Sequence, residues 1–311
     1  MGSARVEITL DDRAPTPGAI VVADVFAPAA PSEDAIVYCC FPGGGMTRRY
    51  FDLDLPGYSM AAHLAGLGAI VLTFDHFGIG ESSPTDLYEL TPRALAAHDA
   101  AAVHIALERL RDGSLAVGLP AIARPRPVAA SHSAGAMISA VIQHTYRPFD
   151  ALALLGFWGK GMPSHAPIVP PSLLDDPAAF DTALPDLARA QFSAPRPRSG
   201  VNLVGDELPA DVATALRGAR TELFRSVGIA SMIPGVCRAE LAHLDVPVFV
   251  GVGERDITGH PHTIADDFRA ATDFTLFVVP GAGHNHNVAP TRTMLWDRID
   301  RWARSVSTAE L

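Results

Sequence analysis

The chain has a single lysine, Lys160, and arginine supplies its other basic side chains. Lys and Arg together number 24 against 34 Asp and Glu, so the formal net charge is -10. A surface with that balance argues against the basic patch that holds a phosphate backbone, and nucleic acid is not expected as a partner. Arginine- and alanine-rich usage with lysine nearly absent points to a GC-rich bacterial genome, which concerns codons and not mechanism. Cysteine is scarce too: Cys39, Cys40 and Cys237 are the only three. Two of them are neighbours in an apolar run that reads as a strand, where adjacent side chains point to opposite faces and do not readily bridge. Buried thiols in a reducing cytoplasm are therefore expected, not a disulfide scaffold. No apolar run reaches the roughly 18 residues of a membrane span. The first residues, Met1 to Glu7, carry no hydrophobic signal core, so export is not expected. Metal-ligand spacings are missing as well. His284 and His286 form a short pair without convincing partners, and neither a metal nor a diffusible cofactor is expected.

What is present is a globular composition, 48% hydrophobic and 19% charged, in a chain of 311 residues long enough for one large core. Residues 5–10 and 19–27 read as an antiparallel lead-in pair around the turn-forming stretch 11–18. Short apolar strands follow at 36–41, 69–74, 127–130, 246–252 and 274–279. Helices are expected over about 57–67, 92–112, 134–145, 261–271 and 290–305. Strands apolar on both sides predict a mostly parallel sheet covered by helices. The alternation breaks between Phe157 and about Leu244. Proline turns crowd that stretch, as at Pro163, Pro167, Pro170-Pro171 and Pro195-Arg196-Pro197, with helical pieces near 176–192 and 208–227. The expected organisation is a core of residues 1–159 and 244–311 with an insertion at 160–243.

Ser131-His132-Ser133-Ala134-Gly135-Ala136 is the most informative segment. It joins the strand Pro127-Val128-Ala129-Ala130 to a helix-forming run, so Ser133 sits where a strand turns sharply into a helix. Such a corner needs small residues two places before and after the serine, and Ser131 and Gly135 supply them. The segment resembles the nucleophile elbow of the α/β-hydrolase family, G-x-S-x-G, with Ser131 in place of the first glycine. That family orders its triad as serine, acid, histidine, each on a loop after a strand. Asp256, beyond the strand 246–252, and His284, beyond the strand 274–279, fit that order. A serine hydroxyl needs a neutral imidazole to take its proton and a carboxylate to fix the imidazole tautomer. Glu254 is a second candidate acid and reads better as a solvated loop charge. His286 is expected to be a neighbour in the site mouth or a loop histidine, with its substitution mild. His132 reads as a packed residue beside the elbow.

Pro42-Gly43-Gly44-Gly45-Met46 follows the strand 36–41. Three glycines free the backbone to aim N–H groups at a developing oxyanion. A phosphate-binding loop does not fit, because Met46 follows Gly45 directly where that loop needs its lysine. The resemblance places the oxyanion hole at the amides of Ala134 and of Gly44 or Gly45. Asp75-His76-Phe77-Gly78-Ile79-Gly80-Glu81-Ser82 is similar to a structural turn frequent in the family. Arg48 and Arg49 read as a solvated helix start that could meet a substrate anion.

The resemblance implies an eight-stranded, mostly parallel α/β-hydrolase sheet with a mainly helical cap at 160–243. Phe157, Trp158, Met162, Phe224 and Met232 are candidates to line an apolar pocket. The reaction implied is cleavage of an ester, thioester or lactone of a small, largely apolar molecule through an acyl-enzyme. C–C bond hydrolysis, acyl transfer and cyclisation on the same fold remain open, as does a non-catalytic binding protein, and oligomeric state is not legible.

Overall fold

The computed structural model describes residues 3–193, 203–204 and 207–307. The proline turn at Pro195 and Pro197 lies outside the described residues. The lead-in pair is β1 (Ser3–Thr9) and β2 (Ile20–Phe26), antiparallel with Ser3 opposite Phe26 and Thr9 opposite Ile20. Next come β3 (Ile36–Cys40), β4 (Ile70–Phe74), β5 (Arg126–His132), β6 (Ala151–Leu155), β7 (Val248–Gly253) and β8 (Phe274–Val279). Together they form an eight-stranded sheet in the order β1-β2-β4-β3-β5-β6-β7-β8. From β4 to β8 every pairing is parallel. β2 runs antiparallel to β4. Every residue of β3, β4 and β6 is buried, as strands covered on both faces require. Val37 and Cys39 enter one core and Ile36, Tyr38 and Cys40 the other, so the adjacent thiols point apart and stay free.

Local signals set the helix limits. α1 (Met60–Gly66) starts where the Ser59 side chain accepts the Ala62 N–H at 3.0 Å. α2 (Pro92–Asp112) starts with Thr91 as its cap and Pro92 at its first position, and stops at Gly113 with φ 79°. A left-handed residue there closes the last turn, and glycine adopts it without steric cost. α3 (Ala134–Tyr146) packs beside α2 on one face of the sheet. On the other face α1 meets the C-terminal helix Arg292–Ser307.

Between β6 and β7 lie α4 (Pro171–Leu174), α5 (Pro177–Ser193), α6 (Ala210–Gly218), α7 (Arg225–Met232) and α8 (Arg238–Ala242). The C-terminal helix is accordingly α9. Near 208–227, where the sequence reads as helical, the helix ends at Gly218 and the next begins at Arg225. The backbone is taken there by another partner. Thr47 N–H donates to the Ala219 carbonyl at 2.8 Å, Thr221 N–H donates to the Gly45 carbonyl at 3.0 Å, and Met46 bridges Arg220. Residues 261–271 also depart from expectation, forming two single 3₁₀ turns, Pro261–Thr263 and Ala265–Asp267. Ile264 and Phe268 are buried as a helical pattern would have them. The Asp267 carboxylate instead accepts the Gly159 N–H at 3.2 Å, which ties the turn to the chain leaving β6.

In such sheets ligands meet the carboxyl ends of the parallel strands. The loops after β3, β5, β7 and β8 carry Gly43–Gly45, Ser133, Asp256 and His284, and all emerge at that edge.

Candidate active site

Ser133 stands between the last residue of β5 and the first of α3, with φ 53° and ψ -122°. A non-glycine residue so placed costs about 1–3 kcal/mol and needs surroundings that hold it. Its N–H donates to the Leu155 carbonyl at 2.7 Å, and its carbonyl accepts the N–H of Ala136 at 2.9 Å and of Met137 at 3.2 Å. The helix approaches β3 closely enough that a Cβ on Gly135 would meet the Phe41 carbonyl oxygen at 2.5 Å. Ser131 fits where the family writes glycine because it is fully buried and bonded: its Oγ accepts from Ser139 Oγ at 2.7 Å and from the Phe41 N–H at 3.3 Å.

His284 Nε2 lies 2.8 Å from Ser133 Oγ, and its Nδ1 lies 2.7 Å from Asp256 Oδ1. These three sequence-predicted residues therefore form one hydrogen-bonded row. Asp256 Oδ1 also accepts the Ile257 N–H at 2.8 Å, and Oδ2 accepts the Gly253 N–H at 3.0 Å. Burial pushes the Asp256 carboxyl up. The bonds from His284 and His286 outweigh burial and hold it well below the ordinary carboxylate range. Glu254 stays exposed and accepts the Gly281 N–H at 2.7 Å.

His286 departs from expectation. It is neither at the site mouth nor loose in a loop: it is 1% exposed, and its Nε2 lies 2.9 Å from Asp256 Oδ2. The triad order and the strand 274–279 pointed to position 284, and no sequence signal showed that the chain turns back two residues later onto the same carboxylate. His132 is buried with its Nε2 donating to the His284 carbonyl at 2.8 Å. Burial pushes its imidazole well down, with His284 and His286 adding to the shift, so it stays neutral and braces the loop.

The glycine loop packs directly on this row. A Cβ on Gly43 would come within 3.0 Å of the Ser133 Cβ. Gly44 lies under Leu223, whose Cδ1 would be 2.7 Å from an added Cβ, and near Phe224. Gly45 turns with φ 78°, and its carbonyl is tied to Thr221. His76 supports the loop from below, with Nδ1 2.5 Å from Asp99 Oδ2 and Nε2 3.0 Å from the Pro42 carbonyl oxygen. Arg48 is not solvated, as the sequence suggested. It is 4% exposed and bonds Asp24, Asp75 and Glu81 at 2.8, 2.6 and 2.7 Å. A buried carboxylate, Asp75, demands a fixed cation, and a charged pair separated in sequence carries no local signal.

The sequence profile of the alpha/beta hydrolase family matches residues 37–294. The chain belongs to the alpha/beta hydrolase family. Solved structures share its fold over nearly its whole length at low identity. A thermophilic esterase from Thermogutta terrifontis superposes with a TM-score of 0.63 at 18% identity, covering 98% of this chain and 100% of its own. A highly thermostable carboxyl esterase from Bacillus coagulans superposes at 0.67 with 15% identity, covering 98% and 99%. Est1E from Butyrivibrio proteoclasticus, solved with ferulic acid bound, superposes at 0.56 with 15% identity, covering 97% and 99%. No curated protein matches the sequence.

In this hydrolase Ser133, Ala134 and His284 open onto a small cleft with a cavity volume of about 40 Å³. Its walls are Phe157, Trp158, Met162, Ser231, Ile257 and Thr258. Three of the five expected lining residues are thus there. Phe224 is fully buried against the edge of the His76 ring. Met232 contributes its carbonyl, which accepts the Met162 N–H at 2.7 Å, while its side chain is not among the walls. Ile257 and Thr258 were legible in principle, since the loop that delivers Asp256 must run past the serine. Ser231 carries no such signal. Among the described residues no helix is long and apolar enough to cross a membrane.

Proposed function

We propose that this hydrolase cleaves small, largely apolar carboxylic esters, with thioesters and lactones in the same chemical class, through an acyl-enzyme on Ser133. The observation that carries the reading is the row Ser133–His284–Asp256, at 2.8 and 2.7 Å, facing a cleft walled by Phe157, Trp158, Met162 and Ile257 together with Ser231 and Thr258. His284 Nε2 takes the Ser133 proton as Oγ attacks the substrate carbonyl. Asp256 keeps the remaining imidazole proton on Nδ1 and stabilises the imidazolium. The oxyanion is received by the N–H of Ala134, in the first turn of α3 where backbone donors lack an intrahelical acceptor, and by an amide of Gly44 or Gly45. The imidazolium then protonates the leaving alcohol, and water repeats the sequence against the acyl-enzyme.

The enclosed space at the row is about 40 Å³, far below the about 300–1,000 Å³ of drug-sized ligand pockets, which favours short acyl groups in this reading. Residues 160–243 act as the cap in this reading: they supply Met162 and Ser231 to the cleft walls and Leu223 above Gly44. The three buried, free cysteines support a reducing cytoplasm; burial pushes the Cys39 thiol up to about 12, which makes it inert. The test is a series of p-nitrophenyl esters from acetate to dodecanoate. The reading expects turnover with a pre-steady-state burst and the highest kcat/KM at the short end. Absence of turnover across the whole series, together with thioester and lactone analogues, would remove it.

A further inference from the structure

His284 and His286 grip one carboxylate by its two oxygens. The chain returns through a 3₁₀ turn, His286–Val288, and the His286 N–H donates to the His284 carbonyl at 3.0 Å. This folds both rings around Asp256, His284 on Oδ1 at 2.7 Å and His286 on Oδ2 at 2.9 Å. A carboxylate offers about four lone-pair sites. Here the close donors are His284 Nδ1 and Ile257 N on Oδ1, and His286 Nε2 and Gly253 N on Oδ2. A carboxylate accepts only, so His286 carries its proton on Nε2, and its buried Nδ1 meets no partner among the described residues.

We propose that His286 is a positioning residue for Asp256. This rests on the Ser133–His284–Asp256 reading and adds a fourth member to it. The His286 N–H holds Oδ2 so that Oδ1 stays aligned with His284, and it takes up part of the carboxylate charge. Both effects keep the proton on the imidazole rather than on Asp256 when His284 becomes cationic. Packing alone does not require a histidine there, because an apolar ring would fill the same space without leaving Nδ1 unpaired.

The titratable groups facing the pair come from three other segments. His132, from β5, has its ring centre 4.7 Å from that of His284 and 5.6 Å from that of His286. Tyr50, from the turn after the glycine loop, stacks on His132 at 4.7 Å. Asp256, from the loop after β7, is the carboxylate bonded to both rings. With the His286 donor removed, the whole Asp256 charge bears on His284 and stabilises its protonated form. The acid limb of the reaction then moves to higher pH.

The experiment follows the second-order labelling of Ser133 by a fluorophosphonate from pH 5 to 9, which needs no knowledge of the natural substrate. Wild type, His286→Phe and His286→Gln are compared after their folding is verified by melting temperature. The expected result is labelling about 10- to 100-fold slower in His286→Phe at pH 8, as for loss of an outer hydrogen bond to a functional ligand. Its acid limb should lie several tenths of a pH unit higher, and His286→Gln, which restores an N–H near the same place, should recover to within about threefold of wild type. A wild-type rate and limb in His286→Phe overturns the proposal, and so does a His286→Gln as slow as His286→Phe, which would leave packing alone. If neither variant folds, ¹⁵N-histidine NMR of the wild type decides: the proton on Nε2 of His286 supports the proposal, and the Nδ1–H tautomer overturns it. Wild-type labelling at Ser133 that disappears in His284→Ala upholds the triad whatever His286 does. No labelling at Ser133 in the wild type overturns both.

Discussion

A Cβ on Gly135 would stand 2.5 Å from the carbonyl oxygen of Phe41. The start of α3 and the end of β3 therefore touch backbone to backbone, and this contact fixes Ser133 relative to the glycine loop. In an ordinary helix glycine to alanine is favourable by about 1 kcal/mol. Here the sign reverses. Gly135→Ala is expected to destabilise by about 1–3 kcal/mol, the usual cost of forcing atoms into a packed interior, and to cut ester turnover more than tenfold. Gly66→Ala, where an added Cβ meets nothing within 4 Å, serves as the control and should be neutral or stabilising. Denaturant titration and esterase assay of both variants measure this. A Gly135→Ala with wild-type activity and stability would mean that the elbow does not depend on the close approach.

The two acids beyond β7 should separate cleanly. Asp256→Asn keeps the shape but offers an amide where His284 requires an acceptor, and loss near 10⁴-fold in kcat is expected from the wrong imidazole tautomer. Glu254→Gln is expected to retain activity within about twofold, since Glu254 is exposed and bonds only the backbone of Gly281 among described partners. Steady-state kinetics with one ester suffices, and the reverse ranking would relocate the acid.

Stability should fall as the solution is acidified below about pH 6.5, earlier than carboxylate titration alone would produce. The folded-state pKa of His132 is depressed by burial and by its histidine neighbours. Between the unfolded value of about 6.5 and the folded one, the unfolded chain binds the extra proton. The stabilisation is thus complete above about pH 6.5 and is lost as pH falls, by at most about 1.4 kcal/mol per pH unit for one proton. Asp256 adds the same sign at lower pH, below about pH 4. Melting temperatures from pH 7.5 to 5 should decline in the wild type and decline less steeply in His132→Phe, with His104, also held low by burial, supplying part of the remaining slope. An unchanged slope in that variant would show that His132 is not the group titrating.

Specificity should follow the walls the structure shows. Met162→Ala enlarges the cleft, so the ratio of kcat/KM for hexanoate over acetate esters should rise at least threefold. Phe224→Ala removes a buried ring that lies outside the walls. It should lower stability, by about 3–5 kcal/mol on the scale of large core truncations, while leaving that ratio close to wild type. If Phe224→Ala shifts the ratio and Met162→Ala does not, the substrate lies elsewhere.

How much of this was legible in the sequence depended on whether the signal was local. β8 runs from Phe274 to Val279 and α2 from Pro92 to Asp112, as read, because each is bounded by its own turn or cap residues. The serine, acid and histidine were legible because each follows an apolar strand in a fixed order, and the geometry brings them within hydrogen-bonding distance. What the sequence hid depends on distant partners. Residues 219–221 leave the helical path to pair with the glycine loop, Arg48 turns inward to three carboxylates, and His286 returns to Asp256. Residue type at those positions is compatible with a surface role, and only the fold decides otherwise.

The most direct test of the central claim is the kcat/KM of Ser133→Ala on a short p-nitrophenyl ester, with folding checked by melting temperature. The residues of a triad act as a unit, and removal of the nucleophile in comparable enzymes costs about 10⁴-fold or more. The account predicts a loss of that size, with His284→Ala alike and no burst in either variant. A folded Ser133→Ala that turns over ester within tenfold of wild type would contradict it.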